Sequence, residues 1–161
     1  MTETLTTTVD SPIGPLTLLA SDGALTTLSM HEQRHPPRLP RDAVRDDESF
    51  TDVVAQLEAY FEGDRRAFDV TMRLEGTDFQ RHVWDELRAI PYGETISYGE
   101  LARRVGNPNA SRAVGLANGR NPIAIIVPCH RVIGANGDLT GYGGGLERKT
   151  WLLEHEATHA K

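Results

Sequence analysis

The sequence predicts an α/β protein of the α+β kind, with a small N-terminal α/β domain holding an antiparallel sheet and a mostly helical C-terminal domain containing a helix-turn-helix. Three observations predict it. Threonine- and leucine-rich runs alternate with short turns from Leu5 to Ser29; apolar residues recur at helical spacing after Thr77; and two short helix signals flank Asn107-Pro108.

The elements follow in order. Leu5 to Val9 is a first strand, Asp10 to Pro15 a turn, and Leu16 to Ala20 a second strand; Ser21-Asp22-Gly23 turns the chain into a third, Ala24 to Ser29. His31 to Glu48, rich in Pro, Arg and Asp and without periodicity, reads as a surface loop. Phe50, Val53, Val54, Leu57, Tyr60 and Phe61 fall at helical spacing before Gly63, a helix stop. Phe68, Val70, Met72 and Leu74 alternate as one face of a strand. The boundary between the units is placed after Gly76, giving domains 1–76 and 77–161, and nothing in the first looks catalytic.

Thr77 and Gln80 form a capping box, and Phe79, Val83, Leu87 and Ile90 make the apolar stripe of the helix they start. Ser97 and Glu100 form a second capping box for a helix to about Val105, and Asn109 caps a third from Ala110 to about Asn118. This outline fits a plain helical hairpin or a helix-turn-helix. Ala110, Ser111, Ala113, Gly115, Ala117 and Asn118 leave the last helix thin, so it can approach another surface closely while projecting Arg112, and a duplex groove is one such surface. Asn136-Gly137 is a tight turn, Gly141 to Gly145 a loop that either admits a ligand to its amides or simply turns the chain, and Leu146 to Glu156 the last helix.

Chemistry concentrates between Asn121 and Arg131. Ile123 to Val127 reads as a buried strand that Pro128 must end, which delivers Cys129 and His130 where a rigid element meets a loop. Cys129 is the only cysteine. It reads either as inert packing or as a nucleophile whose thiolate His130 or Arg131 promotes.

Composition narrows the classes. With one cysteine no internal disulfide forms, the first residues lack the pattern of a signal peptide, and no apolar run reaches membrane-spanning length, so a cytoplasmic protein without a membrane partner is expected. The net charge of −6 is unevenly spread. Residues 1–76 hold seven arginines and fourteen acids, whereas from Thr95 to Arg131 five arginines face the single acid Glu100. That stretch is either an electrostatic footprint for nucleic acid or a solvated face.

Taken together, Ile90-Pro-Tyr-Gly-Glu-Thr-Ile-Ser-Tyr98, Ser111-Arg-Ala-Val-Gly115, Asn121 to Arg131, Gly141 to Gly145 and Leu152-Leu-Glu-His-Glu156 resemble the O6-alkylguanine-DNA alkyltransferases. Ser11-Pro-Ile-Gly-Pro-Leu-Thr-Leu18 extends the resemblance to the first domain. It implies DNA repair by direct damage reversal: Cys129 takes the alkyl group from O6 of a guanine flipped out of double-stranded DNA, irreversibly and once per molecule, with O4-alkylthymine as a second substrate left open. It further implies that His130 acts as a water-mediated base oriented by Glu156, that Asn121 fixes the site's turn, and that Tyr98 gives a proton to N3 of the guanine. Arg112 would fill the vacated stack, with Ala110, Ser111, Ala113, Gly115 and Asn118 against DNA. Tyr142, Gly143 and Val132 would form the substrate pocket, Gly143 standing where the family often has serine. A monomer is expected, cooperative on DNA or not, with no cofactor and no metal, since one cysteine cannot build the zinc site of some members. The main rival is a relative that binds damaged DNA without repairing it; such proteins usually carry tryptophan where Cys129 stands. A cysteine hydrolase leaves the helix pair unused, and a simple helix-turn-helix regulator fits poorly with the acidic charge.

Overall fold

The computed structural model describes residues 3–31, 40–137 and 145–160. β1 (Thr4–Val9), β2 (Leu16–Ser21) and β3 (Ala24–Met30) form the expected antiparallel meander, β1 running against β2 from Thr4 opposite Ser21 to Val9 opposite Leu16. The β2–β3 turn holds Asp22 at φ 52° and Gly23 at φ 75°, two successive left-handed residues as a tight hairpin requires. Within the expected loop the structure instead places β4 (Val44–Arg45), parallel to β1, and a 3₁₀ turn at Asp47–Phe50. Both β4 side chains are exposed, so no apolar alternation announced it. The sheet order is β3-β2-β1-β4.

α1 (Thr51–Phe61) buries Val53, Leu57 and Tyr60 and ends as its sequence demands. Gly63 sits at φ 85°, and the amides of Gly63 and Asp64 return to the carbonyls of Tyr60 and Ala59, the paired bonds of a glycine-closed helix end. The alternating stretch from Phe68 to Leu74 is not a strand. Only Met72 bridges, to Leu25 on the outer edge of β3, where Leu25 and Arg73 or Thr71 exchange backbone bonds.

In the second unit, α2 (Asp78–Arg88) starts at the capping box of Thr77 and Gln80, both halves formed. Val83, Trp84 and Leu87 are buried, whereas Phe79 at its start is exposed, and Trp84 Nε1 donates to the Ala117 carbonyl at 2.8 Å. α3 (Tyr98–Arg104) follows β5 (Ile96–Ser97), and α4 (Ser111–Gly119) completes the helix pair. Ser97 caps α3, but Glu100 turns outward to Arg103 and Arg104, leaving the second capping box half made. At α4 the cap position is Ala110, one residue past the expected Asn109 and without a side-chain acceptor, while the Asn109 amide donates to Asn107 Oδ1. β6 (Val132–Ile133) lies parallel to β5, and α5 (Leu146–His159) runs three residues past the expected end.

The expected strand from Ile123 to Val127 is a compact turn. Ile123 makes one bridge, to Leu28 on the β3 edge, and the chain then folds on itself with Ile126 N to Ala124 O at 2.8 Å and Val127 N to Ile123 O at 3.1 Å. Ile125 takes φ 71°, a costly setting for a β-branched residue, while its side chain is 1% exposed. Burial of the apolar run was foreseeable; the reversal was not, since a buried strand and a buried turn share one apolar signature. A single core joins both units, from Leu16, Leu18 and Leu57 through Leu87 and Val114 to Ile123 and Leu152.

Candidate active site

The β3 edge anchors the segment that carries the thiol. Asn121 staples the turn beyond it: its Oδ1 accepts from Ile123 N at 3.0 Å and its Nδ2 donates to the Val127 carbonyl at 2.8 Å. Pro128, at φ −81° and ψ 66°, forms a three-residue turn in which Cys129 N bonds Val127 O at 2.8 Å. Cys129–Arg131 is then a 3₁₀ turn, not a strand end. Cys129 is 6% exposed and His130 fully buried.

α5 brings the partners from below. Lys149, Leu152 and Glu156 share its inner face at helical spacing, all buried. Glu156 Oε2 lies 2.7 Å from His130 Nε2. Arg131 clamps the same carboxylate with Nε at 2.7 Å and Nη2 at 3.0 Å, while its Nη1 donates to the Ile90 carbonyl at 2.6 Å. Tyr60, from the first unit, donates its hydroxyl to Glu156 Oε2 at 2.5 Å.

Burial alone would push the Glu156 carboxyl up, but the His130 bond and the Arg131 guanidinium overcome it and hold the group well below the usual carboxylate range. Burial pushes His130 down, against the pull of Glu156, so the imidazole is neutral. A carboxylate can only accept; His130 therefore donates through Nε2, and Nδ1 keeps its lone pair. That nitrogen is buried without a hydrogen-bond partner among the described residues. The thiol, the imidazole and the carboxylate thus come from two segments 25 residues and more apart in sequence.

Two further groups adjoin the thiol. Lys149 Nζ donates to the Val132 carbonyl at 2.7 Å and stands 5.9 Å from the Tyr98 ring centre. Burial pushes it down to about 8, and negative charge on Cys129 opposes the fall. Tyr98 is pushed up by burial and by Cys129, against the Asn118 amide, so its phenol stays protonated as a donor.

The structure treats the predicted residues unequally. Cys129, His130, Glu156, Asn121 and Tyr98 gather around one turn. Ser111, Arg112 and Ala113 are exposed on α4, and Ala110 and Gly115 half-buried, Gly115 with room for a Cβ 3.8 Å from Tyr98. Asn118 does not face outward: it is 1% exposed and its Nδ2 donates to the Cys129 carbonyl at 3.3 Å, which removes it from the DNA-facing set. Val132 is fully buried in β6. Tyr142 and Gly143 lie outside the described residues. Arg131 is no surface cation, and Arg103 and Arg104 pair with Glu100, so the exposed basic patch shrinks toward Arg112 and Arg120. Among the described residues no three His, Cys, Asp or Glu side chains are grouped to hold a metal, and no helix is long and apolar enough to cross a membrane.

Sequence reading missed Tyr60, Lys149 and the true partner of Arg131. Lys149 had a signal, a cation three and seven residues before Leu152 and Glu156 on an apolar stripe; Tyr60 had none, since only the fold brings it to Glu156.

Comparison with known proteins is consistent along the chain. Residues 78–158 match the 6-O-methylguanine DNA methyltransferase DNA binding domain, and residues 4–74 the same family's ribonuclease-like domain. A methylated-DNA--protein-cysteine methyltransferase of Mycobacterium tuberculosis is 59% identical over 153 residues, 95% of this chain and 92% of that protein. One from Methanosarcina acetivorans is 53% identical over 149 residues, 92% and 96% of the two chains. The crystal structure of M. tuberculosis OGT in complex with DNA superposes with a TM-score of 0.93 at 57% identity, covering 96% of this chain and 94% of that one. With both family domains matched end to end and this degree of identity, the chain belongs to the 6-O-methylguanine DNA methyltransferase family.

Proposed function

We propose that the protein repairs DNA by moving an alkyl group from O6 of guanine in a duplex onto its own Cys129, the base being flipped out for the purpose. The observation that carries this reading is the buried Cys129–His130–Glu156 arrangement beneath an exposed, thin helix that projects Arg112. It divides labour at the boundary after Gly76, with the reacting thiol in residues 77–161.

The Cys129 proton passes through a water to His130 Nδ1, whose opposite edge Glu156 holds. Sγ then attacks the alkyl carbon, a carbon–sulfur bond forms and the carbon–O6 bond breaks, its electron pair staying on the guanine. Tyr98 donates its phenolic proton to N3 so that guanine leaves neutral, and the proton held by His130 makes good that loss through solvent. Lys149 favours the thiolate during the first step. Arg112 occupies the gap in the stack, offsetting an extrusion cost of a few kcal/mol. A thioether has no good leaving group, so each molecule reacts once.

The test is intact and peptide mass spectrometry after mixing the protein with a duplex carrying one O6-methylguanine, beside an unmodified duplex. A gain of one methylene on the Cys129 peptide, saturating at one per protein and absent from the control, is expected. Tight binding of the damaged duplex without modification would leave a damage-binding protein instead.

A further inference from the structure

The first unit reaches the site through one side chain. Tyr60 lies near the end of α1, fully buried, with its ring edge-on to Phe61 and Tyr92 and tilted against Phe68. Its hydroxyl donates to Glu156 Oε2, the oxygen that also accepts from His130 Nε2 and Arg131 Nη2. A second bond ties the same residue to α5: a carbonyl can only accept, so His155 Nε2 donates to Tyr60 O at 2.7 Å. Tyr60 therefore meets α5 through both its backbone and its phenol.

We propose that Tyr60 is a positioning residue for the proton relay, its hydroxyl fixing the Glu156 carboxylate and tempering its basicity so that His130 stays neutral and ready to accept the thiol proton. This rests on the reading of Cys129, His130 and Glu156 as a relay. Three donors share one carboxylate oxygen. Each hydrogen bond draws charge from the carboxylate and weakens its hold on an imidazolium. Burial and the adjacent Glu156 charge push the Tyr60 hydroxyl far up, so it remains a donor throughout the working range. Removing that donor leaves Oε2 with two partners and a greater charge facing His130. The cationic form of the imidazole gains, and the fraction able to accept a proton falls. The other groups facing this pair are Arg131 beside it, Lys149 on α5 and Tyr92 near the carboxylate, and none of them is altered when only the Tyr60 hydroxyl is removed.

The experiment uses the full chain and Tyr60→Phe, which keeps the ring. The His130 imidazole is titrated by nuclear magnetic resonance, and the single-turnover rate of methyl transfer from an O6-methylguanine duplex is measured against pH. Thermal melting and duplex affinity of both proteins check that fold and DNA binding persist. The expected result is a His130 midpoint moved upward by about half to one pH unit, a matching upward move of the acid limb of the rate profile, and rates on that limb, below the wild-type midpoint, lowered roughly threefold to tenfold. Coincident His130 titrations and rate profiles, with a lower melting temperature alone, would reduce Tyr60 to packing and overturn the proposal. A wild-type acid limb that ignores the His130 titration would overturn the relay itself, an outcome visible without the variant.

Discussion

Glu156 is an anion held in the core by three cationic or polar donors and a backbone amide, so its value depends on every partner staying in place. Glu156→Gln leaves the buried Arg131 guanidinium without its counter-charge, and the cost expected from breaking a buried pair is about 3–5 kcal/mol. Urea titration of the variant checks it. Acid should weaken the protein through the same residues. Glu156 is depressed below its ordinary 4.5, so its stabilisation is present above that value and is lost as pH falls toward the folded value. His130 is also depressed, below 6.5; the unfolded chain takes up its proton first, and stability falls as pH drops below 6.5. Both signs agree: the melting temperature is expected to decline below pH 6.5 as the His130 share is lost and further below pH 4.5 as the Glu156 share goes, the second loss being absent in Glu156→Gln. Lys149→Met removes the ammonium beside the thiol, and alkylation of Cys129 by a small electrophile at neutral pH is expected to slow about tenfold.

At the scale of elements, the helix signals were the most legible part of the chain. Thr77 with Gln80, and Gly63 after Phe61, mark ends that the structure reproduces, because a cap is chemistry between residues close in sequence. What sequence could not supply was anything decided by distant partners: the β4 pairing with β1, the reversal at Ile125, and the inward turn of Asn118. The site was legible as residue types in a motif, while the roles of Arg131, Lys149 and Tyr60 depended on which groups the fold laid against Glu156 and Cys129. The end of α1 also presses on the end of α5. A Cβ on Gly63 would fall 2.2 Å from the His159 ring at φ 85°, so Gly63→Ala is expected to cost about 1–2 kcal/mol through the left-handed backbone even after the ring moves. On α4, Arg112→Ala should leave folding intact and slow transfer by about tenfold or more, the loss being confined to duplex rather than free-base substrates.

The molecule as a whole folds around one core. Leu28 on β3 bridges Ile123 in the segment leading to the thiol, Trp84 ties α2 to α4, and Tyr60 ties α1 to α5. Two units sharing apolar contacts this way should not unfold separately. Tryptophan fluorescence, from Trp84 and Trp151, and far-ultraviolet circular dichroism are expected to give superimposable urea transitions; two separated transitions would contradict the shared core. Superimposable transitions would make the two-unit organisation read from the sequence a division of chain and composition alone.

The near-complete burial of Cys129 has a consequence for the lifetime of the unused protein. A single-use reagent is wasted by any encounter with the wrong electrophile or oxidant, and a chain with one cysteine has no neighbouring thiol to restore it. Beneath the stapled turn, selectivity comes from access more than from intrinsic reactivity: a soluble peroxide or disulfide must find its way in, whereas a correctly seated base brings its carbon to the sulfur. Native protein should accordingly resist bulky thiol reagents and keep its full capacity for transfer under conditions that exhaust an exposed thiol.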